Sequence, residues 1–321
     1  MIIRRRRFLH LAAGAAALPA STRIARAQAY PSRPITMVVG YQAGGPTDGV
    51  ARMLANDLSE RLGQPIVIEN KGGAGGMLAA AGLAKSRPDG YTLLFVGAGA
   101  LSFYRTLYKS LSYNPVKDIA PVAMIGSVPD VLLASPKLPV TTLQELIAWA
   151  KANPGKLNIG DSGVGTIPQI MAAAFAQRTG IQVTHVHYRG AAGSVTDLLG
   201  GQIEAAASAY TPQLESMKGL AVSWQRRLPQ LPNVPTFREL GHDLVFGLSI
   251  GLSAPAGTAA AVIDKVNAAV NDFLKGPRGR EINAMLGLQT VGGSPAEMRA
   301  FLEDEAARVE PVIRAAKISL E

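Results

Sequence analysis

The sequence predicts an α/β protein of two lobes, with the chain crossing twice between them. Short runs of β-branched residues alternate with segments of helical periodicity, and glycine or proline marks most junctions. This alternation is typical of a parallel sheet with helices on both faces. The helix-rich segment after residue 258 needs a sheet to cover. We expect this to be the first sheet, which makes the first lobe discontinuous in sequence.

The first lobe is predicted to begin with a βαβαβ series. Apolar residues between Val50 and Leu62 recur with the spacing of one helix face. The Pro88-Asp89-Gly90 turn introduces the third strand. The predicted strands are 35–39, 66–69 and 91–96, and the predicted helices are 48–62 and 77–85.

The second lobe continues the alternation. Its first helix is predicted to begin with a capping box of Thr142 and Glu145. Residues 228–235 contain three prolines, which excludes a regular element and marks a surface connection. The predicted strands are 131–134, 157–160, 182–187 and 203–208, and the predicted helices are 143–152, 168–179 and 192–199.

The chain then returns to the first lobe through an extended segment, 244–254. It ends in three predicted helices, 259–275, 277–286 and 295–316. Crossings near 125–131 and 244–252 place a cleft between the lobes, where small-molecule sites are common. The predicted division is a signal segment at 1–29, a first lobe at 30–130 plus 248–321, and a second lobe at 131–247.

The first 29 residues have the composition of an export signal. Arg4-Arg5-Arg6-Arg7 precedes an apolar segment, and Ala27-Gln28-Ala29 fits a cleavage site before Tyr30. The apolar segment has about 12 residues against roughly 20 for a bilayer span, which favours a cleaved signal over a membrane anchor. The arginines fit the twin-arginine and the general secretory routes equally. We therefore expect an exported, mature chain of residues 30–321.

Charge and composition exclude several protein classes. The net charge is +9, but residues 1–29 hold six arginines and no acid, so the mature chain carries only +3. No tract of Lys or Arg follows the signal, and we expect no nucleic-acid partner. The sequence contains no cysteine, which excludes disulfides, thiolate metal sites and a lipid-modified N-terminal cysteine.

Three glycine-rich loops follow predicted strands, at the sheet edge where α/β proteins bind ligands. They are 40–48, 72–76 and 161–166. Glycine lets a ligand approach the backbone, and the first amides of the next helix lack an internal partner and carry positive potential. A tight strand-to-helix turn accounts for any one such loop. Three of one kind in two lobes favour an anion site.

Enzyme motifs are incomplete. Gly160-Asp161-Ser162-Gly163 resembles the nucleophile segment of chymotrypsin-like proteases, but every mature histidine follows Ser162, against the order in those enzymes. Val164 breaks the nucleophile-elbow pattern, and no P-loop or complete dinucleotide fingerprint occurs. His185 and His187 would share a strand face, but no third metal ligand is near in sequence, which favours a structural pair. We expect no enzyme activity, no cofactor and no metal.

A series of short motifs extends over nearly all of residues 30–321. It comprises Tyr30-Pro31-Ser32-Arg33-Pro34-Ile35, Ala43-Gly44-Gly45-Pro46-Thr47-Asp48, Glu69-Asn70-Lys71-Gly72-Gly73-Ala74-Gly75-Gly76, Pro88-Asp89-Gly90-Tyr91-Thr92-Leu93, Gly163-Val164-Gly165-Thr166, His185-Val186-His187-Tyr188-Arg189-Gly190, Thr196-Asp197-Leu198-Leu199-Gly200-Gly201-Gln202, Leu231-Pro232-Asn233-Val234-Pro235-Thr236 and Ala254-Pro255-Ala256-Gly257-Thr258. The series closely resembles the Bug (TctC-like) family, periplasmic solute receptors of tripartite tricarboxylate transporters.

The resemblance implies a periplasmic-binding-protein (Venus-flytrap) fold that closes on a small carboxylate. It implies that backbone amides and ordered water from loops 42–48 and 162–166 hold the carboxylate, and that Tyr188-Arg189-Gly190 lines the cleft. Asp48 would orient a polar ligand group, or only cap its helix. The expected ligand-binding residues are Gln42, Ala43, Gly44, Gly45, Thr47, Asp48, Ser162, Gly163, Gly165, Thr166, Gln169, Tyr188, Arg189 and Gly190.

Four features depart from the family's usual pattern. Gln169 stands where a histidine is usual, His187 where a proline is usual, and Ser208-Ala209 where many members carry Asp-Asn. The chain is also a few residues shorter between Met217 and Leu220. The departures leave the fold prediction unchanged, but the ligand of any particular member does not transfer to this chain.

We therefore expect a monomeric periplasmic receptor that passes a small carboxylate to the membrane subunits of a tripartite transporter. An extracytoplasmic α/β hydrolase is one alternative, which turnover abolished by Ser162→Ala would favour. A ligand sensor for a membrane kinase is another. The sequence does not separate sensor from transport receptor, because both need the same closing cleft.

Overall fold

The computed structural model describes residues 30–321, and the predicted export signal lies outside the described residues. The first part of the described chain alternates strands and helices. It contains β1 (Ile35–Val39), α1 (Pro46–Leu62), β2 (Ile66–Asn70), α2 (Met77–Ala84), β3 (Thr92–Gly97) and α3 (Tyr104–Leu107). The middle part contains β4 (Ile119–Ala134), α4 (Leu143–Ala152), β5 (Asn158–Asp161), α5 (Ile167–Thr179), β6 (Thr184–His187), α6 (Ala191–Gly200), β7 (Ala205–Ala209) and β8 (Lys218–Ser223). The last part contains β9 (Gly247–Pro255), α7 (Ala260–Lys275), α8 (Pro277–Leu286), β10 (Gln289–Gly292) and α9 (Pro295–Ala315).

The described strands form one sheet in the order β2-β1-β3-β9-β4-β7-β5-β6, with β8 and β10 also paired to β4. β1 is parallel to β2 and β3, and β5 is parallel to β6 and β7. Between these groups β9 is antiparallel to β3 and β4, and β4 is antiparallel to β7. The predicted parallel sheet is therefore correct towards both ends and wrong in the centre, because the returning chain inserts β9 between β3 and β4.

β4 belongs to both halves of the sheet. Its residues up to Pro129 pair with β9, and its residues from Asp130 pair with β7 and β8. The sequence predicted only the second part of this strand. Pro121, Gly126 and Pro129 lie in the first part, and two register shifts against β9 occur beside Pro121 and Gly126.

Helices cover both faces of the sheet. In the first half, α1 packs with α7 on one face through buried residues such as Leu54 and Phe273, and α2 packs with the start of α9 on the other. In the second half, α4 and α5 cover one face and α6 the other. The later turns of α9, with Val309 and Ile313, join the core of α4 and α5. The last helix therefore contacts both halves of the sheet.

Local signals in the sequence placed several boundaries correctly. α4 begins at the predicted capping box, in which the Glu145 amide donates to Thr142 Oγ1 at 3.1 Å, and α8 has the predicted bounds. Residues 228–235 contain no helix or strand, as predicted. The sequence missed β8, β10 and α3, because segments of four to six residues show too little periodicity.

Candidate ligand-binding cleft

The loop between β1 and α1 is closed by the side chain of Asp48, a buried residue in the first turn of α1. Asp48 Oδ2 accepts hydrogen bonds from the Gly44 amide at 2.9 Å and from Arg52 Nε at 2.8 Å. Asp48 Oδ1 accepts from Asn70 Nδ2 at 2.8 Å. The bond from Arg52, aided by those from Gly44 and Asn70, lowers the pKa of Asp48 to about 2 against the effect of burial. Asp48 is therefore an ionised acceptor that organises the loop.

The loop between β5 and α5 repeats this arrangement with a neutral side chain. Gln169 occupies the same position in α5, and its Oε1 accepts a hydrogen bond from the Gly165 amide at 2.7 Å. Gly44 and Gly165 both have left-handed φ angles, +85° and +78°, which favour glycine. Each precedes the residue that caps the helix, Gly45 or Thr166. The two halves of the sheet thus present two helix N-termini in the same manner.

Hydrogen bonds within the loops decide which amides remain for a ligand. The amides of Gly44 and Gly165 donate to side chains of the following helix, and the Thr166 amide donates to the Gly163 carbonyl at 3.2 Å. In this conformation these three amides are engaged inside their loops. Helix geometry leaves other first-turn amides without an intrahelical acceptor. These belong to Thr47 and Asp48 in α1 and to Ile167 and Gln169 in α5.

Two neighbouring cavities lie between the halves of the sheet, and Ala209 and Leu248 line both. The smaller has a volume of about 200 Å³, and the larger has about 500 Å³. The smaller cavity is lined by Tyr41, Gly97 and Tyr104 from the first half and by Ser162, Gly165 and Thr166 from the second. The larger is lined by Thr47, Val50, Val128, Tyr210, Ile250 and Leu288. Each glycine-rich loop therefore borders the cleft.

The expected ligand-binding residues separate into three groups. Thr47, Ser162, Gly165 and Thr166 line the cavities. Gln42, Ala43, Gly44, Gly45, Asp48, Gly163 and Gln169 lie in the two loops and their helix ends without lining either cavity. Tyr188, Arg189 and Gly190 also line neither cavity. The Tyr188 hydroxyl instead donates to Asp197 at 2.6 Å, and the Gly190 amide donates to the Ser162 carbonyl at 3.2 Å.

The sequence of this chain matches the model of a known protein family. The model of the TctC family, described as tripartite tricarboxylate transporter family receptor, matches residues 50–318. The chain belongs to the TctC family. The predicted resemblance to Bug (TctC-like) proteins is thereby confirmed.

Named relatives of this TctC-family chain cover nearly all of it. It is 37% identical to Protein BugT of Bordetella pertussis over 295 residues, which span 90% of each chain. It is similar to the solved structure of Rhodopseudomonas palustris Rpa4515 with adipate, with a TM-score of 0.77, 34% identity and coverage of 90% of this chain and 99% of that one. The structure of MatC from the same organism with bound malate gives a TM-score of 0.75, 32% identity and coverage of 88% and 100%. Together with the likeness to the structure of periplasmic binding protein BugD, which has a TM-score of 0.75, these matches confirm the two-lobed periplasmic-binding-protein fold.

The third glycine-rich loop, 72–76, supports the first loop in this TctC-family chain. A Cβ atom on Gly72 would lie 2.9 Å from the Gln42 backbone nitrogen, so only glycine permits this approach. The Gly75 carbonyl accepts a hydrogen bond from the Tyr104 hydroxyl at 3.1 Å. Gly75 also lines the smaller cavity. The loop therefore contributes packing beside the cleft.

Sequence reasoning missed four polar residues that line the smaller cavity, Tyr41, Tyr104, Ser249 and Glu305. The Tyr41 hydroxyl accepts a hydrogen bond from the Gly97 amide at 3.0 Å, and burial raises the pKa of Tyr41 to about 12. Glu305 had a signal in the sequence. It lies on the buried stripe of α9, between Leu302 and Val309, where the helical period otherwise places apolar residues.

His185 and His187 of β6 lie beside Asp161 of β5, which is fully buried. His187 Nδ1 lies 3.0 Å from each Asp161 oxygen, and Asp161 Oδ1 also accepts from the Gly163 amide at 2.9 Å. Within residues 30–321 no group of three metal-ligating side chains forms a site. In the same range no hydrogen bond joins the Ser162 hydroxyl to a histidine. Asp161 and His187 therefore brace the start of the second loop.

Two departures from the usual TctC-family pattern have partners of their own. Gln169 closes the second loop through Gly165, and His187 pairs with Asp161. Neither Gln169 nor His187 lines one of the two cavities. They therefore affect how the loop is held.

Proposed function

We propose that this protein captures a small carboxylate between its two lobes for delivery to a tripartite tricarboxylate-type transporter. The observation that carries the proposal is that the same loop occurs twice at one cleft, before α1 and before α5. In each loop a glycine amide donates a hydrogen bond to a side chain of the following helix, Asp48 or Gln169. First-turn amides and the positive ends of both helices favour an anion. Adipate and malate in the two structural relatives support a carboxylate.

The charges beside the loops are compatible with an anion. The carboxylate of Asp48 is paired with Arg52 at 2.8 Å, so the end of α1 carries no uncompensated negative charge. At the end of α5 the equivalent side chain, Gln169, is neutral. A ligand carboxylate therefore meets helix N-termini whose positive potential is preserved in both lobes.

The proposed lobes are residues 30–130 with 248–321, and residues 131–247. Residues from both ranges line each cavity. A ligand that contacts both lobes binds the closed state better than the open one, which is the condition for ligand-driven closure. We expect the radius of gyration, measured by small-angle X-ray scattering, to decrease when ligand is added.

Calorimetry and a thermal-shift screen test the proposed ligand class. The screen covers mono-, di- and tricarboxylates, with malate and adipate included. A ligand at 100 times its Kd stabilises the folded state by about 2.7 kcal/mol, which is readily detected. We expect at least one carboxylate to bind and to be recovered unchanged. If none binds, the proposal fails; steady turnover abolished by Ser162→Ala would establish the hydrolase instead.

We propose a periplasmic location for a mature monomer that begins at Tyr30. The likeness to the periplasmic binding protein BugD, at 31% identity, supports this location. None of the helices in the described part of the chain could span a bilayer. N-terminal sequencing of the exported form should find Tyr30, and retention of Met1 would contradict this. Replacing Arg5 and Arg6 by lysine should block export only if the twin-arginine route is used.

The proposed partners are the membrane subunits of the transporter. Genes for two such subunits beside the receptor gene, and loss of carboxylate uptake when the receptor is deleted, would support transport. If deletion leaves carboxylate uptake unchanged but abolishes a transcriptional response to the same carboxylate, the protein is a sensor.

A further inference from the structure

Glu305 is a buried acidic residue at the wall of the smaller cavity. It lies in α9, with 4% of its surface exposed. It lines the cavity together with Ser249 of β9 and with Ser162 and Thr166 of the second loop. Because this cavity has a volume of only about 200 Å³, a ligand held at the second loop lies close to Glu305.

The two hydrogen bonds of the Ser102 hydroxyl are both made only when its neighbour Glu305 carries a proton. Ser102 Oγ lies 2.8 Å from Glu305 Oε2 and 2.8 Å from the Ala98 carbonyl oxygen. A serine hydroxyl has one hydrogen, and a carbonyl and a carboxylate both only accept. A protonated Glu305 resolves this conflict, because it donates to Ser102 while Ser102 donates to Ala98.

The surroundings of Glu305 also favour the neutral form. Burial raises the pKa of Glu305 to about 7. The charged groups nearby on its own helix are Arg308, which favours ionisation, and Asp304, which opposes it and pairs with Arg308 at 3.0 Å. Tyr41, from the loop after β1, and Tyr104, from α3, face it with raised pKa values and are neutral.

We propose that Glu305 forms part of the ligand site and makes the affinity for anionic carboxylates depend on its own protonation. This deepens the proposed function and rests on it. The neutral acid tolerates a ligand carboxylate beside it, whereas the ionised acid repels the ligand in a cavity where little water screens the charges. The cleft therefore binds carboxylates more tightly below neutral pH than above it.

The expected effect follows from the titration of one group. With a pKa of about 7, the protonated fraction of Glu305 falls from about three quarters at pH 6.5 to about 3% at pH 8.5. A ligand that binds only the protonated form would lose about 25-fold in affinity over this range. We expect at least a fivefold loss, since the ionised form retains the contacts made by the two loops.

Isothermal titration calorimetry with malate and with adipate, at pH 6.5, 7.5 and 8.5, tests the proposal. The affinity of the wild-type protein for the carboxylate should fall at least fivefold from pH 6.5 to pH 8.5. Glu305→Gln should keep its low-pH affinity throughout, because its side chain is neutral at every pH. Glu303→Gln, which removes an exposed acid from the same helix, should behave as the wild type. Comparing the variants with the wild type cancels the titration of the ligands and of every group that the proteins share.

Ser102→Ala gives a second, independent variant. In the protonated form Glu305 donates to the Ser102 hydroxyl, so removing this acceptor should move the midpoint of the pH dependence to lower pH. If wild type and Glu305→Gln lose the same carboxylate affinity between pH 6.5 and pH 8.5, the role of Glu305 is overturned and the proposed function is unaffected. Should Glu305→Gln not fold, an unchanged midpoint in Ser102→Ala would overturn it. If no carboxylate binds the wild type at any pH, both proposals fail.

Discussion

Replacing Asp48 by asparagine tests whether one carboxylate holds the first glycine-rich loop. The side chain accepts hydrogen bonds from Gly44, Arg52 and Asn70, and an asparagine must turn its amino group towards at least one of these donors. A pKa of about 2 in place of 3.8 corresponds to about 2.5 kcal/mol of unfolding free energy. Because Arg52 is half exposed and its attraction is screened by water, we expect Asp48→Asn to lose about 2 kcal/mol.

The pH dependence of this loss identifies the carboxylate as its source. A lowered pKa stabilises the folded state fully above the unfolded value, 3.8, and the effect disappears as the pH falls through about 2. In urea unfolding the difference between wild type and variant should be constant from pH 5 to 8 and fall to about half near pH 3.

Asp57→Asn is the matched control for this experiment. Asp57 lies on the same helix and pairs with Arg61 four residues later, but it accepts no backbone amide from the loop. We expect this control to lose less than about 1 kcal/mol. A loss at Asp48 no larger than at Asp57, or one that persists unchanged at pH 3, would refute the role assigned to Asp48.

Three further predictions concern the loops and β4. Gly45→Val should fold, because φ is −80° and the nearest atom to a new Cβ is 3.8 Å away. The new side chain would stand at the N-cap of α1 and obstruct the approach of a carboxylate to the first-turn amides of Thr47 and Asp48. Calorimetry with the best carboxylate should show at least a tenfold loss, about 1.4 kcal/mol, and unchanged affinity would place the site elsewhere. Gly165→Ala should lower the unfolding free energy by about 2–3 kcal/mol, because φ is +78° and the new Cβ would lie 2.8 Å from a leucine side chain. The control Gly180→Ala has φ +66° but open space around the new Cβ, and it should lose about 1 kcal/mol. Equal losses in urea unfolding would contradict this prediction. Burial raises the pKa of Asp130 from 3.8 to about 8, so the unfolding free energy of the wild type should fall between about pH 4 and pH 8, by up to about 6 kcal/mol. In urea unfolding Asp130→Asn should lack this slope, and equal slopes would contradict the assignment.

The sequence predicted those parts of the fold that depend on local chemistry. Thr142 and Glu145 form a capping box within four residues, and glycine-rich loops before α1 and α5 follow from strand and helix periodicity. The central antiparallel strands were not predictable in this way. The pairing of β4 with β9 joins residues more than a hundred positions apart, and Pro121 and Pro129 hide the strand.

The candidate site was predictable to the level of the loops. The glycine pattern indicated an anion site, but it did not show that the Gly44 and Gly165 amides turn inwards to Asp48 and Gln169. Such hydrogen bonds depend on side-chain geometry rather than on residue type. Glu305 was missed because its partner Ser102 lies 203 positions away. The helical period marks it only as an acid in an apolar stripe.

The position of β9 has a consequence for the order in which the chain folds. Because β9 lies between β3 and β4, these strands have no common neighbour until residues 247–255 are present. A chain that lacks its last quarter would expose two long unpaired strand edges, which favour aggregation. Residues 131–209, in contrast, contain β5, β6 and β7 with the end of β4 and complete their pairing earlier. The native sheet is therefore completed late in synthesis, by a segment that must insert between two others already made.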